Sequence, residues 1–142
     1  MQNENGCGVV LDLLLGEIIN SLWVSDNQSL LVFGVGDGGF KAFEAYGDCC
    51  SESWFADILG VENLLGSIVA KVEEIPLPDY NVEDGRGRQY SDIAYGYKLY
   101  TYKGQTTIIF RNSSNGYYGG SLLVFTGKLP DNLTQITEDW RA

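Results

Sequence analysis

The stretch Gly47–Gly60, GDCCSESWFADILG, decides how the chain is read. Asp48 and Ser51 are residue types that cap a helix, and Trp54, Phe55, Ile58 and Leu59 recur at the spacing of one helical face. Gly60 follows where a helix can end. The spacing therefore predicts a short helix over Ser51–Leu59. Its surroundings carry strand patterns instead. Glu17–Ser25 and Leu30–Val35 are apolar runs parted by the turn residues Asp26-Asn27-Gln28-Ser29, and Gly36-Asp37-Gly38-Gly39 signals a hairpin into Phe40–Tyr46. Downstream, Gly66–Ile75 reads as a strand that Pro76 and Pro78 end. Ile93–Tyr102 and Gln105–Asn112 flank Lys103-Gly104 as a further hairpin, and Ser121–Thr126 reads as the last strand. The expected fold is α+β: a mainly antiparallel, twisted sheet of about six strands with the Ser51–Leu59 helix packed on one face. Its expected core is Leu31, Phe33, Trp54, Phe55, Ile58, Ile68, Ile108, Phe110, Leu123 and Phe125.

Composition agrees with a β-rich domain. The chain has 142 residues, enough for one domain with a real core, with 18 glycines for turns and 13% aromatics for pleated surfaces. The expected organisation is a single domain over 1–142, with a flexible N-terminus at 1–12, an exposed loop at 78–90 and a C-terminal tail at 130–142 holding a helical turn near Trp140. An internal echo is visible: Leu14-Leu15-Gly16-Glu17-Ile18-Ile19 resembles Leu64-Leu65-Gly66-Ser67-Ile68-Val69, fifty positions later. Each copy leads into a strand, as two related β units would.

Charge and residue counts exclude whole classes of chemistry. There is no histidine, which removes histidine general bases, histidine metal sites and Ser-His-Asp or Cys-His catalysis. Nineteen acids against nine bases leave a net charge of −10. Residues 1–70 hold ten of the acids and a single base, Lys41. Nucleic acid and anionic membrane are therefore poor partners, whereas a basic protein surface is a good one. No apolar run approaches the length of a membrane span. Cys7, Cys49 and Cys50 are an odd set with an adjacent pair, so no secreted disulfide framework is expected, and a reducing cytoplasm is.

Two motifs stand out. In Gly47–Trp54 a cysteine at a helix start gains acidity from the helix dipole, but Asp48, Glu52 and Asp57 oppose a thiolate. The cysteines are expected to be structural, with no catalytic residue and no metal. The second motif is Arg111–Gly120, RNSSNGYYGG. It reads as an elaborate turn, as a tyrosine-rich protein contact through Tyr117 and Tyr118, or as a nucleotide-binding loop. In the last reading Arg111 pairs with phosphate while Asn112, Ser113 and Asn115 donate hydrogen bonds.

GDCCSESW, with Asp57-Ile58, Asn63-Leu64-Leu65-Gly66 and RNSSNGYYGG, resembles an uncharacterised family of small phage and bacterial proteins, over roughly Leu13 to Val124. The resemblance implies a small cytoplasmic accessory protein, in the host cytoplasm if phage-encoded, and assigns no catalytic residue. The expected function is a non-enzymatic, acidic binding protein without cofactor. It would inhibit a host defence or nucleic-acid-handling complex, of CRISPR or restriction type, by docking on a basic surface of a host protein. Glu44, Asp48, Glu52, Asp57, Tyr117 and Tyr118 are the expected contacts. The alternative is a binder that sequesters an anionic nucleotide signal through Arg111, Asn112, Ser113 and Asn115.

Overall fold

The computed structural model describes residues 9–47, 51–77, 91–114 and 120–142. A 3₁₀ turn at Val10–Leu14 buries Leu11 and Leu14, so the chain is already packed within the segment expected to be flexible. The strands follow as β1 (Ile18–Ser25), β2 (Leu30–Val35), β3 (Gly39–Gly47), β4 (Glu52–Leu59), β5 (Ser67–Ile68) and β6 (Lys71–Ile75). Then come β7 (Ser91–Thr101), β8 (Gly104–Ser114), β9 (Gly120–Phe125), β10 (Leu133–Gln135) and β11 (Trp140–Arg141). They form two antiparallel sheets, β10-β1-β2-β3-β9 with β5 also on β1, and β11-β4-β8-β7-β6. The sheets stack face to face as a sandwich. Phe33 and Phe43 of one sheet and Phe55, Ile58, Ile108 and Phe110 of the other are fully buried between them.

The helix expected over Ser51–Leu59 is a strand, which replaces the α+β expectation by an all-antiparallel sandwich. β4 lies between β11 and β8. Trp54, Phe55, Ala56, Asp57 and Ile58 are all at most 3% exposed, a continuous burial that one helical stripe cannot produce. The misleading spacing has a specific cause. Phe55 sits opposite Phe110 and Asp57 opposite Ile109, so Ala56 is an extra residue, a bulge. Past a bulge the alternation resets, and Phe55 and Ile58, three apart, both face the core. A bulged strand thereby imitates a helical period. The same device recurs in β1, where the register shifts between Ile19 and Ser21 and leaves Ile19 and Leu22 both in the core.

Three expected core residues lie elsewhere. Ile68 is 52% and Leu123 40% exposed, and Phe125 is half-buried, because β5 and β9 are peripheral strands. The expected tail is also structured. Residues 126–132 cross the outer face of the first sheet from β9 to β10 at its opposite edge, and the chain then passes to β11 on the second sheet. An Asp139 carboxylate oxygen accepts the Gly60 N–H at 2.6 Å, and Ala142 N–H donates to the Ala56 carbonyl at 2.8 Å. Trp140 therefore lies in a strand, not in a helical turn.

The two copies of the internal echo meet. Ile18 pairs with Ile68. Gly16 N–H donates to Val69 O at 2.9 Å, and the equivalent Gly66 N–H donates to Ile19 O at 2.7 Å. Both glycines hold positive φ, +81° and +79°, which is why the echo keeps glycine there. The local two-fold extends through the topology. Each copy leads into a meander, β1-β2-β3 or β6-β7-β8, and each meander is completed by a strand from the other half: β9 pairs with β3, and β4 with β8.

Candidate functional site

The strand directions bring distant acids to one end of the sandwich. The β1–β2 turn, the end of β3, the start of β4, the end of β8 and the starts of β7 and β9 all lie there. The sheets are tied at this end by Phe55 N–H donating to Gln28 O at 2.8 Å and by Gly120 N–H donating to Tyr95 Oη at 3.0 Å. Asp26 is exposed in the β1–β2 turn and accepts from Asn132 Nδ2 at 2.5 Å, which places exposed Asp131 beside it. Glu44 is half-buried on the outer face of the first sheet, opposite Leu123, and Glu52 is exposed opposite Ser113. At the other end lie Lys41, Lys71 and Lys103. Lys41 is paired with Glu17 at 2.8 Å. Of the expected contacts, Glu44 and Glu52 are thus brought together, although on different sheets. Asp57 is not among them: it is 2% exposed in mid-strand and paired with Arg141 Nε at 2.7 Å. Asp48, Tyr117 and Tyr118 lie outside the described residues.

Asp26 and Asp131 were missed in the sequence because 105 positions separate them. The signal that finds them is topological. Alternate turns of a meander fall at the same end, so the turn carrying Asp26 joins the end of β3.

The four residues Arg111–Ser114 are a buried polar run in β8, none more than 2% exposed. Successive strand residues face opposite sides, so Arg111 and Ser113 point outward while Asn112 points between the sheets. Arg111 Nε donates to Asp92 Oδ1 at 3.2 Å and Nη2 to Oδ2, and its guanidinium lies 4.7 Å from the centre of the Trp54 ring. Asn112 Nδ2 donates to Ser53 Oγ at 2.8 Å and Ser51 Oγ at 3.2 Å. Arg111, Asn112 and Ser113 therefore do not converge on one ligand-sized space, and Asn115 lies outside the described residues. What the arrangement does instead is fix the acidic end. Ser51, Ser53 and Asn112 fill the space a Cβ would need at Gly47, drawing the two sheets together.

Titration shifts sit in the second sheet. Burial first, then the nearby Glu74 and Tyr95, raises the Tyr97 hydroxyl well above its ordinary 10.0. Tyr100 is raised chiefly by its hydrogen bond to Glu73, at 2.7 Å. Among the described residues no group of three or more Cys, Asp or Glu is placed to hold a metal ion, and no helix is long and apolar enough to cross a membrane. Cys7, Cys49 and Cys50 lie outside the described residues.

No solved structure matches the chain. An uncharacterized protein of Acanthamoeba polyphaga mimivirus is 34% identical over 91 residues, covering 60% of this chain and 68% of that protein. A family model described as a domain of unknown function, DUF7448, matches residues 12–124, a span that runs from the first 3₁₀ turn into β9 and includes both meanders. The chain belongs to the DUF7448 family.

Proposed function

We propose that the chain is a non-enzymatic binding protein that docks its acidic end on a basic surface of another protein. The surface it fits is one that handles nucleic acid, so that docking inhibits the partner, and a host defence complex in the cytoplasm is the kind of target that suits a family with a viral relative. The observation that carries this reading is the placement of Asp26, Glu44, Glu52 and Asp131 at one end, where the described cation, Arg111, is buried against Asp92. Acids held at one end of a rigid sandwich present a directed negative field, which speeds encounter with a basic patch. Nucleotide sequestration has less support, because Arg111 is committed to Asp92 and Trp54.

The test is paired capture from a host lysate, with the wild type and a Glu44→Lys/Glu52→Lys variant as baits. The expected result is a basic protein held by the wild type and lost, or bound about tenfold more slowly, by the variant. Equal capture by both baits would reject docking through this end.

A further inference from the structure

The two swapped strands differ in what borders them. The edge of β4 that faces away from β8 is covered by β11, with Trp140 opposite Ile58 and Arg141 opposite Asp57. β9 holds the equivalent place beside β3, and among the described residues no strand covers its far edge. That edge lacks every usual guard: Gly120–Phe125, GSLLVF, has no charge and no proline, and its register with β3 is unbroken. Leu123 and Val124, which point to opposite faces, are 40% and 43% exposed. Gly120 turns its N–H to Tyr95 Oη and not to β3, so by alternation Leu122 and Val124 direct their backbone N–H and C=O groups outward.

We propose that the β9 edge is a pairing site for a second copy of this chain, joined β9 to β9 in antiparallel about a two-fold axis at Leu123. The first sheets of the two copies then become one continuous sheet. This register keeps faces matched: Leu123 meets its counterpart on the outer face, and Leu122 meets Val124 of the second copy on the core face. The outward groups of Leu122 and Val124 then bond each other across the pair. Charge selects the orientation. Each copy carries −10, and an antiparallel join sets the acidic end of one beside the lysine-bearing end of the other, whereas a parallel join would place two acidic ends together. A six-residue edge gives a small interface, so the expected dissociation constant is on the order of 10 μM.

Sedimentation of the full chain across a concentration series tests this. The wild type is expected to pass from monomer to dimer, and Leu123→Lys/Val124→Lys, at two exposed positions, to remain monomeric with an unchanged circular dichroism spectrum. A wild type that stays monomeric at concentrations on the order of 500 μM overturns the proposal, including one that takes up an extended peptide of another protein instead. So does a dimer that persists in the folded variant. Should the double lysine fail to fold, hydrogen exchange of the wild type decides. Protection of the Leu122 and Val124 amides that rises with concentration supports the pairing, and protection independent of concentration contradicts it.

Discussion

Replacing Arg111 by lysine keeps its charge and removes its fork. A lysine cannot place two donors on the Asp92 carboxylate while lying flat on Trp54. Breaking a buried pair costs about 3–5 kcal/mol, but the Asp92 side chain is 33% exposed, so Arg111→Lys is expected to cost about 1–3 kcal/mol in urea unfolding. An unchanged midpoint would mean that the contact contributes little. Tyr97 supplies a pH signature. Its hydroxyl is raised above 10.0 in the folded chain, so above pH 10 the unfolded state loses the proton first and stability falls. The slope is at most about 1.4 kcal/mol per pH unit, and Tyr97→Phe is expected to reduce it, measured as melting temperature between pH 9 and 11. A wild-type profile that is flat there would contradict the burial of this hydroxyl. Residue type was legible in the sequence at this scale, but direction was not. Arg111, Asn112 and Ser113 are visibly polar, yet only their place in a strand shows that they face opposite sides.

Among the elements, the hairpins were readable because turn chemistry is local. Gly36-Asp37-Gly38 joins β2 to β3 and Lys103-Gly104 turns β7 into β8, as their residue types predict. β4 was not readable, because a bulge at Ala56 gives a strand the spacing of a helix, and only the pairing with β8 reveals it. The last two strands were obscured for another reason: β10 and β11 are three and two residues long and are held by partners far away in sequence. The turn after β4 offers a paired test. Gly60 has φ +78°, and an added Cβ would lie 2.5 Å from the Gln105 carbonyl oxygen, whereas Gly36 has φ +55° and open space. Gly36→Ala is expected to cost about 1 kcal/mol, the strain alone, and Gly60→Ala about 2–4 kcal/mol. Equal losses in denaturant titration would show that the close approach at Gly60 is not as placed.

The whole molecule is a meander used twice, with the fourth strands exchanged between the sheets. The sequence echo at Leu14–Ile19 and Leu64–Val69 marks the local two-fold, but the exchange of β4 and β9 lies beyond any six-residue match. That exchange creates the acidic end, because it brings the start of β4 and the start of β9 beside the β1–β2 turn. The charge excess in the first half of the chain was plain from composition, and its gathering into one end required the topology. Docking through that end is tested most directly by the association rate of the captured partner, measured across ionic strength for the wild type and for Glu44→Lys/Glu52→Lys. The wild-type rate is expected to fall steeply as salt rises, and the variant to start about tenfold slower with a flatter dependence. Matching rates and matching salt dependence for the two proteins would contradict docking through the acidic end.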